Sequence, residues 1–326
     1  MSTWAGTGTA SFTDGTGNTA AFNTPYGIAV DRSGQVYVAD QNNHRIRKIT
    51  PAGEVSTLAG TGSAGSADGT GATATFDSPH GVAVDQSGNV YVADSYNHSI
   101  RIISTEGLVS TLAGVGGAFG TLNGTGGTAK FFYPYGVAVD TSGTVYVAEY
   151  GNHLIRQISP SGVVTNLAGV GGTGGAVNGT GGTARFNNPS GIALDTSGNV
   201  YVADIGNHLI RKISAAGVVS SFAGIWGAVG HVNGTAGTAR FDNPSGVAID
   251  TSGHVYVADT YSHLIRKISP EGVVSTLAGN GATGTIVNGT AATATFSSPT
   301  GVAIDISGSL YVADTNTHQI RKITPV

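Results

Sequence analysis

One pattern recurs six times along this chain of 326 residues. Its most regular position is a proline that returns every 54 or 55 residues: Pro25, Pro79, Pro134, Pro189, Pro244 and Pro299. A repeat of this length is one supersecondary unit, and it can bury its apolar surface only against its neighbours. The sequence therefore predicts six equivalent units packed into a single array.

Each repeat contains four short segments of fixed character. Their consensus forms are P-x-G-[VI]-A-[VIL]-D, [VL]-Y-V-A-[DE], H-x-I-R and V-x-x-x-A-G. All four are rich in β-branched residues and are bounded by turn residues, which is typical of strands. D-x-S-G joins the first two segments and places glycine where a tight turn needs a positive φ. Each repeat is thus predicted to form four antiparallel strands.

The two ends of the sequence share one repeat between them. The last segment is the third of repeat six, and residues 2–6, Ser-Thr-Trp-Ala-Gly, copy the fourth. Such a division closes a ring. The prediction is an all-β fold, with residues 1–326 forming one six-bladed β-propeller domain of four-stranded blades. The N-terminal strand completes the last blade, and Trp4, which takes the position of Leu58 in blade one, is expected to be buried.

These repeats resemble the NHL-repeat family, named for the Asn-His-Leu that residues 152–154 and 207–209 spell out. The resemblance covers essentially the whole chain and implies a six-bladed propeller. Family members bind protein or RNA or act as extracellular sensors, and relatives are metal-dependent lyases. A departure from the family pattern is the long, glycine-rich spacer between blades, as in residues 60–76. The resemblance therefore implies a shape and leaves several functions open.

Composition narrows the possible partners. Charged residues make up only 10% of the chain and its net charge is −4, so we expect no nucleic-acid binding, which depends on a surplus of Lys and Arg. No stretch approaches the ~20 apolar residues of a membrane span, and we expect no membrane insertion. Cysteine is absent, which excludes disulfides and thiolate metal sites. The start lacks a signal peptide, and localisation stays open, including an extracellular or cell-surface domain of a bacterial protein.

A histidine stands at the same place in every repeat: His44, His98, His153, His208, His263 and His318. A metal site needs several ligands within about 2 Å of one ion, whereas one histidine per blade lies a blade apart from the next. We therefore expect these histidines to fix the turn between strands two and three by hydrogen bonds. The repeated acids and arginines are expected to be structural as well, with each buried arginine paired to a neighbouring acid. No catalytic residue, metal ligand or cofactor is expected.

Residues that bind a ligand are expected at positions where the repeats differ from one another. Antiparallel alternation places the P-x-G start, the turn between strands two and three, and the spacers on one rim, called the top face here. The residue after the repeat proline is Tyr26, His80, Tyr135, Ser190, Ser245 or Thr300, and Tyr96 and Tyr150 add rings in the turns of blades two and three. Such rings either stack on a ligand or pack the spacers down. The candidate ligand-binding residues are Tyr26, His80, Tyr96, Tyr135 and Tyr150, over blades one to three.

The sequence favours a non-catalytic binding or interaction module for a glycan, a protein or a peptide, acting as a monomer. Two alternatives remain at this point. One is an enzyme at the mouth of the central channel, a metal-dependent lyase or a hydrolase, as the family resemblance implies. The other is a structural spacer domain of a larger protein. His80 is the one histidine among the six residues that follow the repeat prolines, which makes a three-histidine metal centre at the channel mouth doubtful.

Overall fold

Six antiparallel sheets surround a central channel in the computed structural model, which describes residues 1–283 and 286–325. The six-bladed propeller is thereby confirmed. The first strand of each blade is innermost and packs against the first strands of both neighbours, blade six against blade one included. These strands span Pro25–Val30, Pro79–Val84, Pro134–Val139, Pro189–Leu194, Pro244–Ile249 and Pro299–Ile304.

The other strands follow outward in sequence order within each sheet. The second strands are Val36–Asp40, Val90–Asp94, Val145–Glu149, Val200–Asp204, Val255–Asp259 and Leu310–Asp314. The third strands are Arg45–Ile49, Ser99–Ile103, Leu154–Ile158, Leu209–Ile213, Leu264–Ile268 and Gln319–Ile323. The fourth strands are Glu54–Ala59, Leu108–Ala113, Val163–Ala168, Val218–Ala223, Val274–Ala278 and, for blade six, Ser2–Ala5.

Short 3-10 turns are the helical elements among the described residues. Four connect strands two and three: Gln41–Asn43, Ser95–Asn97, Ile205–Asn207 and Thr315–Thr317. Three lie in spacers: Gly17–Thr19, Gly126–Thr128 and Gly181–Thr183. A membrane-spanning helix, which would have to be long and apolar, is not found in the part of the chain that the structure describes.

The blades carry a feature that the four-strand prediction lacked. A two-residue strand from the preceding spacer pairs with the outer edge of the fourth strand in blades one to four: Gly15–Thr16, Gly69–Thr70, Gly124–Thr125 and Gly179–Thr180. Blade five keeps a single bridge there, between Gly234 and Val274. In blade six Gly289 exchanges backbone hydrogen bonds with Met1. The spacers thus cover the sheet edges, which would otherwise offer unpaired N–H and C=O groups.

The N-terminal strand closes the ring as the sequence predicts. Ser2 pairs with Lys322, and Ala5 with Ile320, in antiparallel register. The prediction for Trp4 needs correction, because its side chain is only partly buried, like that of Leu58 in blade one. The fourth strand is the outermost full strand, so only part of its side chains is covered and the rest reach solvent. The Trp4 indole still packs on the ring of Tyr311, with centroids 4.8 Å apart.

Glycine in the P-x-G motif permits the tight centre of the propeller. A Cβ on Gly136 would overlap the carbonyl oxygen of Ser190 in the next blade, and Gly27 faces the carbonyl of His80 in the same way. Below these glycines the channel wall is a ring of β-branched side chains: Ile28, Val82, Val137, Ile192, Val247 and Val302. The inner strands therefore approach closely and bring the residues that follow the repeat prolines together at the channel mouth.

Candidate functional site

The repeat histidines occupy the left-handed region, with φ between 51° and 59°. The His44 N–H donates to the Gln41 carbonyl and closes the turn between strands two and three. Its Nδ1 accepts a hydrogen bond from the Ser78 N–H of the next blade at 3.1 Å. The same bond joins each blade to the next, with donor–acceptor distances of 3.0–3.3 Å. The histidines are structural as predicted, and their side chains connect blades in addition to the turn that the sequence indicated.

The arginine and acidic side chains that recur in every repeat also serve the fold. In blade three Arg156 is fully buried and donates to Glu149 and to the Asn123 side chain, both at 2.6 Å. Burial raises the pKa of Glu149 to about 7, against the lowering by Arg156, the Phe132 N–H and Asn152. Asn123 begins an N-G-T triplet that matches a glycosylation acceptor, but its side-chain oxygen accepts the arginine bond, as Asp14 does in blade one. These groups hold each spacer on its blade.

Aromatic rings crowd one side of the channel mouth. The rings of His80 and Tyr135 stack with centroids 4.0 Å apart, and Tyr135 stacks on Tyr150 at 4.4 Å. Tyr26 tilts against His80 at 4.6 Å. The Tyr26 hydroxyl reaches across the mouth to within 3.3 Å of the Ser245 hydroxyl. Four of the five predicted residues, drawn from blades one to three, are thus in mutual contact, and we call them the mouth cluster.

His80 is a neutral group within this cluster. Its ring is buried, and its Nδ1 lies 3.0 Å from the Ser78 carbonyl oxygen, which only accepts hydrogen bonds. The Nδ1–H tautomer follows, because a ring nitrogen facing a carbonyl must donate. Nε2 is then the acceptor for the Gln41 amide at 3.4 Å. Burial lowers the pKa of His80 to about 4, so the imidazole is uncharged at neutral pH.

A cavity of about 200 Å³ opens beside the mouth cluster on the top face. Three predicted residues line it: Tyr26, Tyr135 and Tyr150. His80 lies beneath them and lines the channel mouth instead. The cavity extends over blades four and five, beyond the predicted blades one to three, and its remaining lining residues are Ile205, Asn243, Ser245, Thr260 and Tyr261.

Tyr96 does not line this cavity. Its side chain is 50% exposed and packs edge-on against Tyr133, with centroids 5.2 Å apart. Tyr133 continues outward to Phe132 at 4.7 Å, and Phe132 to Phe119 at 4.9 Å. These four rings form a second group, the rim cluster, over the spacer of blade three. The ring contact of Tyr96 is therefore with the rim cluster, whereas the other four predicted residues contact one another in the mouth cluster.

Some cavity residues outside the five predicted ones occupy a position whose variation is visible in the sequence. The residue directly after the second-strand acid varies from blade to blade: Gln41, Ser95, Tyr150, Ile205, Thr260 and Thr315. Thr260 shows one structural use of this position, because its hydroxyl donates to the Pro299 carbonyl of the next blade at 2.8 Å. Ile205 has no hydroxyl to donate, the Tyr150 hydroxyl makes no such bond to a described residue, and both side chains line the cavity. Variation at this position, together with the residue after the repeat proline, marks the cavity wall.

The described residues that line the cavity include no Asp, Glu, Lys or Arg. Burial raises the pKa of Tyr26 and of Tyr135, so both phenols stay protonated. The side-chain amide of Asn243 forms no hydrogen bond with a residue that the structure describes, although its backbone N–H donates to His208. The cavity therefore combines aromatic faces with free polar groups and no charge. Among the described residues, no group of three or more His, Asp or Glu side chains is placed to hold a metal ion.

Comparison with known proteins agrees with the propeller fold. The NHL repeat matches at residues 22–49, 76–103, 131–158, 186–213, 241–268 and 296–323. The chain belongs to the NHL repeat family. Human NHL repeat-containing protein 2 is 32% identical over 333 residues, which cover 91% of this chain and 46% of that protein. The chain thus spans about half the length of the curated relatives it matches.

Solved structures with this fold include both a binding protein and an enzyme. An auxiliary nutrient binding protein from Bacteroides thetaiotaomicron superposes with a TM-score of 0.74 at 17% identity, covering 98% of this chain and 75% of that one. A streptogramin B lyase superposes with a TM-score of 0.58 at 13% identity, covering 95% and 96%. At these identities the likeness shows the propeller fold alone.

Proposed function

We propose that this propeller is a non-catalytic binding module that holds a neutral, ring-bearing ligand in the top-face cavity, and that the ligand is a glycan. The observation that carries the proposal is the uncharged aromatic wall beside the free Asn243 amide. The apolar face of a sugar ring packs on aromatic rings, and its hydroxyls need donors and acceptors such as an amide provides. A charged ligand would lose its hydration here without gaining a partner.

The expected affinity is modest. Each aromatic contact contributes on the order of 0.5–1.5 kcal/mol beyond area burial, and association has its own entropic cost. Tyr135 and Tyr150 are fixed in one stack before any ligand arrives, which lowers the cost of ordering them. A Kd between about 1 μM and 1 mM is the range that a few such contacts support. The description of a structural neighbour as a nutrient binding protein supports the same class of function.

A glycan array followed by calorimetry on the hits tests the proposal. We expect Tyr150→Ala and Asn243→Ala each to weaken the binding of a hit by about tenfold, since each removes a contact worth roughly 1 kcal/mol or more. Trp226→Ala is the control, because this indole is 70% exposed on the spacer before blade five and does not line the cavity. A loss of affinity with Tyr96→Ala would extend the site to the rim cluster.

Other outcomes would point elsewhere. No glycan hit, combined with capture of a peptide that Tyr150→Ala releases, would replace the glycan by a peptide ligand at the same cavity. Binding that survives both cavity variants would contradict the site.

We also propose that the domain is monomeric and binds no nucleic acid, in keeping with its net charge of −4.

A further inference from the structure

A second cavity, of about 390 Å³, lies between blades one and two. It is built from the D-x-S-G turns of both blades, which join strands one and two and therefore lie opposite the top face. The cavity is larger than the aromatic one, and most of its lining residues are polar. We call it the turn groove. Neither the mouth cluster nor the rim cluster reaches it.

The carboxylates of the turn groove already accept hydrogen bonds from N–H groups of their own turns. Asp31 accepts the N–H groups of Ser33 and Gln35 at 2.8 and 2.9 Å, and its second oxygen accepts the Tyr37 hydroxyl at 3.1 Å. Asp85 is held in the same way in blade two. Glu106 follows the groove residue Thr105 and accepts its hydroxyl at 2.9 Å, but does not itself line the groove.

The cations of the turn groove are free. Arg32 and Lys48 both line it, and neither side chain forms a hydrogen bond or ion pair with any residue that the structure describes. Lys48 has only the Tyr37 ring, 6.0 Å from its Nζ. The Gln86 amide and the Ser87 hydroxyl also line the groove without a side-chain hydrogen bond to a described residue. The groove thus presents two cations and two neutral polar groups with unused donors.

This arrangement is particular to blade one. The residues equivalent to Arg32 are Gln86, Thr141, Thr196, Thr251 and Ile306, so no other blade has a cation there. The residues equivalent to Lys48 are Ile102, Gln157, Lys212, Lys267 and Lys322. The fold keeps its turns with Gln or Thr in place of arginine, which means that the fold itself does not require Arg32.

We propose that the turn groove binds a small phosphate monoester. An arginine presents a planar set of N–H donors to phosphate oxygens, and a lysine adds a compact positive charge, a combination that suits a dianion. The polar groups of Gln86 and Ser87 donate to the remaining oxygens. A volume of about 390 Å³ accepts the phosphate with a small organic group packed beside Leu58 and Val90. This site is independent of the glycan site on the top face.

Calorimetry at low ionic strength with glycerol 3-phosphate, inorganic phosphate and neutral glycerol tests the site. We expect one equivalent of glycerol 3-phosphate to bind, inorganic phosphate to compete with it, and glycerol to give no heat. Arg32→Gln and Lys48→Gln should each weaken binding by about tenfold, because each removes a charge-assisted contact. Both variants should fold, since Gln86 and Gln157 stand at these positions in blades two and three.

Lys212→Gln is the matched control, because it changes the same position in blade four, where Thr196 replaces the arginine. We expect it to leave binding unchanged, and Tyr150→Ala to do the same. In NMR spectra the ligand should shift the backbone amides of residues 31–35 and 85–88. Absence of saturable binding, equal losses in Lys212→Gln and Lys48→Gln, or shifts scattered over all six blades would overturn the proposal.

Discussion

The repeat histidines act at the junctions between blades. His208 accepts the Asn243 N–H across one such junction at 3.2 Å, while its own backbone holds the left-handed conformation that ends the preceding turn. Other repeat histidines are desolvated in the same position, and burial lowers the pKa of His98 and of His153. A neutral imidazole keeps Nδ1 as an acceptor, which is the form that the junction needs.

His208→Ala should lower the free energy of unfolding by about 1–3 kcal/mol, because the Asn243 N–H loses its partner at a partly buried site. Chemical denaturation measures the change. His231→Ala is the control, since this histidine is exposed in a spacer. Binding to the top-face cavity, once a ligand is known, should be weakened but not abolished in His208→Ala, because Asn243 also lines that cavity. Equal stability of the two variants would contradict the junction role.

His80 gives a pH dependence with a definite sign. Its pKa in the folded protein is about 4, against about 6.5 in an unfolded chain. The unfolded state therefore binds more protons between these values, and the contribution of His80 to stability, fully present above pH 6.5, is lost as the pH falls towards 4. The His80→Phe variant lacks this pH-dependent contribution to stability. From pH 7 to pH 4.5 the wild type should lose about 2–3 kcal/mol relative to the variant.

Urea denaturation of both proteins at the two pH values measures this difference. An NMR titration gives a direct check, because the His80 ring signals should stay constant from pH 7 down to about pH 5. A midpoint near 6.5 would show that the imidazole is solvated and would remove the neutral tautomer from the description of the mouth cluster.

At the scale of the strand, the packing of the six first strands depends on a glycine in each. Gly136→Ala should destabilise the protein by about 1–3 kcal/mol or more, because its Cβ would overlap the Ser190 carbonyl and push blades three and four apart. Gly127→Ala is the matched control, since a Cβ there meets no atom within 4 Å. Thermal unfolding compares the two. A Gly136→Ala protein as stable as Gly127→Ala would show that the inner strands have room to move.

The N-terminal strand is the element that closes the ring. A chain beginning at Thr7 leaves the third strand of blade six, Gln319–Ile323, without its outer partner and exposes the apolar residues packed with Ala5. We expect a loss of several kcal/mol in the free energy of unfolding, in line with other deletions from a packed core. Ser2→Ala, at an exposed position of the same strand, should be near neutral. Unchanged melting of the truncated chain would refute closure by this strand.

At the scale of the whole molecule, the metal content of the purified protein separates a binding module from a metal-dependent enzyme. Carefully purified protein should contain far less than one equivalent of metal per chain. Among the described residues that line the channel mouth His80 is the one histidine, and both of its ring nitrogens already face protein partners. Elemental analysis of protein purified without chelators measures the content. Stoichiometric zinc or iron would favour the channel-mouth enzyme over the binding module.

The sequence by itself determined the ring, the strand order and the closing strand, because each depends on local patterns repeated at a constant interval. Proline spacing, alternation within each strand and the copy of the fourth strand at residues 2–6 required no knowledge of distant contacts. The same patterns indicated the aromatic asymmetry of the mouth. They also assigned the repeat histidines and acids to structure, because one such residue per blade, at the same place in each, lies a blade apart from the next.

Only the tertiary structure decided which side chains share a cavity. Tyr96 follows Ser95 in its turn just as Tyr261 follows Thr260, yet Tyr261 faces the cavity and Tyr96 packs on Tyr133. The burial of Trp4 likewise depends on how much of the outer strand the neighbours cover. The turn groove requires Arg32, which lies in a turn, and Lys48, which lies in a third strand, to meet the turn of another blade. Side-chain direction and blade-to-blade packing fix these outcomes, and neither is encoded in a local pattern.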